Sequence, residues 1–272
     1  MWPVWDYRWV METRRTAALL AASVLGLSLA ACGGDGGGTT ESGAQLITDG
    51  TLTDCSDVPY VPFEDFDESS PTGFSGFDID LLTEIAKGLD LKLVVKDSAF
   101  DPLQSGLALN SSQCDIVASA MTITADREKN LDFTDGYAKV NQSLLVPTGS
   151  DIKSIDDLSG KKVGVQQGTT GKAYAEENAP DADVVSFPSD AEMYQAIKAG
   201  QVDALLQDYP VNYVHQQDGG FDIVQTYATN EEYGMAIKKG NTALVDDVNA
   251  QLQKMHDDGR YDEIYNKYFS TK

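Results

Sequence analysis

The chain has 272 residues, 42% of them hydrophobic, and a formal net charge of -23. It is long enough for one large domain or two modest ones, and too apolar for wholesale disorder. The charge argues against nucleic acid and anionic lipid as partners, because both are polyanions; otherwise it reads as a solvated acidic surface.

The first 31 residues read as an export signal. Glu12-Thr-Arg-Arg-Thr16 is a positive leader, and the apolar run Ala17 to Ala31 follows it. At about fifteen residues that run is short of the roughly twenty a membrane span needs. Leu29-Ala30-Ala31-Cys32 resembles a bacterial lipobox, in which cleavage falls before the cysteine and the thiol carries a lipid; an ordinary cleaved signal with an incidental cysteine is the alternative. Residues 1–10 hold Trp2, Trp5 and Trp9 and fit no part of a signal, so translation is expected to start at Met11. Losing residues 1–31 removes Arg8, Arg14 and Arg15 against Asp6 and Glu12, which moves the charge from -23 to -24. The glycine-rich stretch after Cys32 suits a flexible tether over residues 32–49.

From Gly50 onward strands and helices alternate. Thr51 to Cys55 reads as a strand, and Gly76 to Leu89 as a helix with Ile79, Leu82, Ile85, Ala86 and Leu89 on one face. Strands at Leu91 to Val95 and Asp115 to Ala120 flank a helical Pro102 to Leu109. The pattern then restarts: a short capped helix at Ser154 to Gly160, a strand at Lys162 to Gln166 and a helix at Thr170 to Asn178. Val184 to Phe187, Asp190 to Ala199, Val202 to Leu206 and Pro210 to Gln216 continue it. Apolar strands alternating with amphipathic helices indicate mostly parallel sheets flanked by helices, here in two α/β lobes. Crossings between them are expected at Ser143 to Gly149, where a strand runs into proline and glycine, and near Asn230 to Gly234. With Cys32 set aside, Cys55 and Cys114 form an even pair in an oxidising compartment and are expected as a disulfide, two buried free thiols being the alternative.

Catalytic patterns are thin. His215 and His256 have no carboxylate or nucleophile at motif spacing and read as surface residues on helices. No zinc pattern occurs, so no metal and no cofactor is expected. Val163 to Glu177 is a strand, a glycine-threonine turn and a helix, a place where backbone N–H groups converge on an anion. A phosphate loop would need glycine five residues before Gly171, where Gln166 stands, and Ser or Thr after Lys172, where Ala173 stands. The remaining polar residues gather at the C-terminal ends of strands, where open α/β sheets bind ligands: Asp57 and Tyr60 after the first, Ser119 to Arg127 after the third, Gln207 and Asp208 in the second lobe.

Five segments in order carry a family resemblance: Gly73 to Asp80, Cys114 to Arg127, Leu131 to Tyr137, Gly164 to Gly171 and Gly259 to Tyr265. Residues 50–270 resemble the polar amino-acid-binding proteins of ABC importers, the family 3 solute receptors, close in pattern to histidine- and glutamine-binding proteins. The resemblance implies a two-lobed (Venus flytrap) fold with lobe 1 at residues 50–143 and 232–272 and lobe 2 at 144–231. It implies that Arg127 grips a ligand α-carboxylate with its two-pronged guanidinium, helped by the Thr122 N–H and the turn at Thr169 and Thr170. Asp208 and the Ala120 carbonyl would take the α-ammonium. Asp57, Gln166, Tyr60 and Phe100 would surround the side chain. Thr53-Asp54-Cys55-Ser56 departs from the usual apolar-glycine-threonine run, which leaves the first wall of the pocket open.

An acidic ligand would put a second carboxylate near Asp57, so a basic amino acid is favoured and glutamine comes next. The expected protein is a monomeric, non-enzymatic receptor. It would be anchored through Cys32 on the outer face of the bacterial cell membrane, or be periplasmic, and would hand a polar L-amino acid to an ABC permease by hinge closure. The competing readings are a dehydratase of cyclic pre-aromatic acids on the same scaffold, with Asp57 or Glu64 as its acid, and a ligand-sensing subunit.

Overall fold

The computed structural model describes residues 37–270. The expected signal peptide, Cys32 and the start of the tether lie outside the described residues. A hairpin of β1 (Gly38–Thr39) and β2 (Gln45–Leu46) comes first, and over the described residues 37–49 it corrects the reading of a flexible linker. Ala44 and Leu46 are buried in the main core, Thr40 and Ser42 hydrogen-bond Asp247, and the Ile47 N–H donates to Asp115. Two apolar side chains are too weak a pattern to show this in the sequence; their burial depends on a groove built by distant residues.

Lobe 1 continues with β3 (Thr51–Ser56), a lip hairpin of β4 (Asp65–Phe66) and β5 (Phe74–Ser75), α1 (Phe77–Gly88) and β6 (Lys92–Asp97). The expected helix at 102–109 is two short ones, α2 (Phe100–Gln104) and α3 (Leu107–Asn110), because Gly106 between them sits at φ +80°. Then come β7 (Ile116–Val117), shorter than expected, β8 (Leu131–Phe133) and the long β9 (Ala138–Pro147). Lobe 2 runs through β10 (Lys162–Gln166), α4 (Thr170–Asn178), β11 (Asp183–Phe187), α5 (Asp190–Lys198), β12 (Ala204–Asp208), α6 (Tyr209–Gln217) and β13 (Phe221–Tyr233). The chain returns to lobe 1 through β14 (Ala236–Lys238), α7 (Thr242–Asp258) and α8 (Arg260–Phe269).

The two sheets share one plan. Their orders are β6-β3-β7-β14-β8 and β11-β10-β12-β9-β13. In each, the fourth strand in the row is antiparallel to its neighbours and the other pairings recorded are parallel. That odd strand lies at a crossing: β9 enters lobe 2 and β14 re-enters lobe 1. β9 pairs with β13 from Ala138 onward, so the first crossing lies ahead of the expected junction at residue 143, and Ser143 itself pairs with Gln207 inside the second sheet.

Strand periodicity sorts the side chains to both faces of each sheet. In lobe 2, Leu144, Val146, Ala204 and Leu206 pack under α4, while Leu145 and Leu205 pack under α5. In lobe 1, α1, α7 and α8 cover one face with Leu82, Ile85, Leu244, Val248 and Phe269, and α2 and α3 cover the other with Phe100, Leu103 and Leu109. Buried positions of α7 at Leu244, Val248, Leu252 and Met255 follow the helical repeat, so the C-terminal helix seals the lobe that the N-terminal strands began.

Cys55 and Cys114 are bonded, with Cα atoms 5.8 Å apart, and tie the end of β3 to the approach to β7 beneath the cleft. The sequence separation is 59 residues. Closing a loop of that size in the unfolded chain is worth about 4 kcal/mol on the chain-entropy account. Urea unfolding with and without reductant is expected to show a loss of that order; equal midpoints would refute it.

A candidate binding site between the lobes

The C-terminal ends of the strands converge on a small cavity between the lobes. Asp57, Tyr60 and Phe100 line it from lobe 1, with Ser119, Ala120, Thr122 and Arg127 on the loop after β7. Gln166, Thr169, Thr170 and Asp208 face them from lobe 2. Each ligand-contact residue expected from the sequence therefore borders one space. Ser119 joins them.

The lobes meet across this space. Tyr60 Oη donates to Asp208 at 2.8 Å, Arg127 Nη2 donates to the Gly168 carbonyl at 2.9 Å, and Gln166 Nε2 donates to Asp57. All these side chains are buried.

Arg127 opens a single 3-10 turn (Arg127–Lys129) and is the buried residue of it rather than part of a helix surface. Its guanidinium donates to the Thr122 carbonyl at 2.6 Å and to Gly168, so its hydrogen-bond partners from the protein are neutral carbonyls. The neighbouring Asp126 is taken by Lys129 at 2.5 Å. The ring of Phe100 lies 5.3 Å from the guanidinium carbon and covers it. Burial draws the Arg127 pKa down to about 10, against the pull of Asp208 and Glu231. A buried cation held only by carbonyls is a costly arrangement unless an anion joins it.

Asp208 occupies the N-cap position of α6 with Pro210 just inside the helix, yet its side chain makes no cap hydrogen bond. It is pulled inward instead. Oδ2 accepts from Tyr60 and, at 2.6 Å, from Tyr233; Oδ1 accepts from Gln142 at 2.5 Å. Burial, reinforced by Glu231, raises its pKa to about 6 in spite of those donors. Asp57 is raised to about 7, again mainly by burial, with Gln166 opposing and Asp97 and Asp190 adding to it.

The departure at Thr53 to Ser56 forms a polar floor. Asp54, fully buried, accepts from the Ala118 N–H at 2.9 Å and from Ser56 at 2.6 Å. Asp78 accepts from the Ala120 N–H at 2.8 Å and from Tyr137 at 2.7 Å, while Glu64 accepts from Ser119 at 2.6 Å. These carboxyls hold the Ser119–Ala120 turn, where Ala120 adopts φ +43°, a conformation that favours glycine. Burial moves both Asp54 and Asp78 up to about 7, and Glu64 well up.

In lobe 2 the turn before α4 is shaped by Gly168, at φ +81°, and by Gly171, where a Cβ would stand 2.9 Å from Gln142 Oε1. Thr169 caps the helix by accepting from the Lys172 N–H, and the first amides of α4 have no partner within the helix. Lys172 turns away from the cavity to Gln167 and Glu176. His215 corrects the surface reading: it is buried, with Nε2 2.9 Å from Asp190 and its ring stacked on Tyr194 at 3.7 Å. His256 is half-buried against Tyr261. Sequence reasoning also missed Gln142, Glu231 and Tyr233, which stand on the crossing strands; polar residues clustered at a crossing are the signal that could have found them.

A cavity closed by two hinge-joined α/β lobes, with a buried cation on one and a buried carboxylate on the other, defines a cleft-type binding protein for a small solute. The model of the bacterial extracellular solute-binding proteins, family 3, matches residues 52–271, and the chain belongs to that family. It is 40% identical over 202 residues to the ABC transporter glutamine-binding protein GlnH of Bacillus subtilis (strain 168), covering 71% of this chain and 72% of that one. It is 37% identical over 267 residues to a probable histidine-binding protein of Neisseria gonorrhoeae, covering 94% and 95%. Among solved structures, an ancestral arginine-binding protein bound to glutamine superposes with a TM-score of 0.77 at 39% identity, covering 82% of this chain and 100% of that one. These named relatives are binding proteins.

Proposed function

We propose that the chain is an extracytoplasmic receptor that closes on a polar L-amino acid and presents it to an ABC permease. The observation that carries this is Arg127, buried with its guanidinium hydrogen-bonded to carbonyls and to no carboxylate, on the same cavity as the buried Asp208. A zwitterion supplies the missing partner at each end. Its α-carboxylate would take the guanidinium fork, together with N–H groups of Thr122 and of the Thr169–Thr170 turn; its α-ammonium would take Asp208 and the Ala120 carbonyl. Tyr60 and Phe100 would flank the side chain, and Asp57 and Gln166 would meet its tip.

Charge favours a basic amino acid, with glutamine next. Arg127 is the only cation among the described residues lining the cavity, against Asp57 and Asp208, so a second ligand carboxylate would be buried unpaired. Relatives named for glutamine and histidine fit the same range. The sequence before Cys32 supports a lipid anchor. For a dehydratase, Glu64 is fully buried behind Ser119 rather than on the cavity wall, and Asp57 is engaged by Gln166.

A thermal-shift screen of the twenty amino acids tests the reading, because a ligand specific to the folded state raises its melting temperature. Arginine, lysine, histidine or glutamine is expected to give the largest rise, and aspartate and glutamate none. No shift with any amino acid, or turnover of prephenate or arogenate, refutes it.

A further inference from the structure

One carboxylate near the cavity belongs to neither lobe's wall. Glu231 sits on β13 at the crossing, beside Asn230 at φ +53° and next to an irregularity in the β9–β13 pairing. Its Oε2 accepts from Thr170 Oγ1 at 2.6 Å and from Thr122 Oγ1 at 2.9 Å, and Oε1 accepts from Gln142 Nε2 at 3.2 Å. Thr122 stands in lobe 1, Thr170 opens α4 in lobe 2, and Gln142 lies on the other crossing strand.

A hydroxyl has a single hydrogen to give. Both hydrogens here go to Glu231, which fixes the Thr122 loop of lobe 1 and the first turn of α4 in lobe 2 against β13. We propose that Glu231 is a positioning residue of the anion end of the cleft: through the two hydroxyls it fixes the Thr122 loop and the first turn of α4, so that their backbone N–H groups and Arg127 converge on a ligand carboxylate. Because one oxygen joins both lobes to a crossing strand, this arrangement is complete only when the lobes meet. The inference rests on the receptor reading above.

The test is calorimetric titration, with the amino acid that most stabilises the wild type, of wild type, E231Q, E231A and the triple variant E231A/T122V/T170V. Two hydrogen bonds are at stake, so E231A is expected to bind about tenfold or more weakly. E231Q, whose amide oxygen can still accept from both threonines, is expected to stay within about threefold of wild type. The valines keep the backbone donors, so the triple variant is expected to match E231A within about twofold, because coupled groups do not lose twice. A purely structural role for Glu231 would not produce that pattern. E231A at wild-type affinity, or a further tenfold loss in the triple variant, overturns the proposal; the second result would mean that the hydroxyls bind ligand directly. Should E231A fail to fold, E231Q and T122V/T170V decide: weak binding by E231Q, or wild-type binding by T122V/T170V, overturns it. A wild type that binds no amino acid sinks the receptor reading and this inference together, whereas a binding wild type with an indifferent E231A sinks only the role of Glu231.

Discussion

Replacing Arg127 with alanine is expected to cost about 3–5 kcal/mol of amino-acid binding, more than a hundredfold in affinity, because the ligand carboxylate would be buried without its counter-charge. Two further results should accompany that loss. Arg127→Lys should rescue little, since an ammonium is a point charge and cannot reproduce the fork that now spans Thr122 O and Gly168 O. The melting temperature of ligand-free R127A should hold, because the removed cation is desolvated and bonded to carbonyls rather than to a carboxylate. Titration calorimetry with a parallel melting curve separates the two effects. An affinity within threefold of wild type would remove Arg127 from the site.

Asp208→Asn is expected to have a comparable effect by the converse route. The carboxylate gathers hydrogen bonds from Tyr60, Tyr233 and Gln142 that fix its direction, and an amide would leave the ligand ammonium without a charge to meet; a loss of about a hundredfold or more follows. The pH dependence gives an independent check. Burial raises Asp208 to about 6, and ammonium binding requires its ionised form, so affinity should fall as pH drops through about 6 and that slope should vanish in D208N. A cationic side chain would also need ionised Asp57, raised to about 7, so a basic ligand should lose affinity more steeply on acidification than glutamine does.

Stability should move the opposite way. Carboxyls whose folded pKa is raised by burial favour the fold while neutral; that contribution is fully present below their ordinary pKa, near 4, and is lost as pH rises through about 6 to 7. The ligand-free melting temperature is therefore expected to fall between pH 5 and pH 8 while affinity rises. A ligand-free melting temperature that rises over that range would refute the burial-raised carboxyls.

Much of this was legible because the chain writes its elements in short-range code. The strand at Lys162–Gln166 and the helix at Thr170–Asn178 carry their own periodicity, turn glycines and threonine cap, and they form with those bounds. The turn between them could be told from a phosphate loop by Gln166 and Ala173 alone. What misled was sequence lacking local pattern. Residues 37–49 look like a tether, yet Ala44 and Leu46 are buried in the lobe 1 core, and Gln45 pairs with Asn241 at the start of α7. His215 looks exposed on a polar helix because its partner Asp190 lies on another element.

The alternation of apolar strands and amphipathic helices determined the two α/β lobes, and the residue types at strand ends determined that a cation, carboxylates and aromatic faces would be available to a ligand. Periodicity acts over a few residues, so it reaches that far and stops. Only the tertiary structure decided that β9 changes lobe ahead of residue 143, that acids lie beneath the Ser119–Ala120 turn, and that Glu231 joins Thr122 to Thr170. Those contacts join residues 42 to 109 positions apart, and their strength comes from burial that exists only once both sheets have formed and the crossing strands have brought them together.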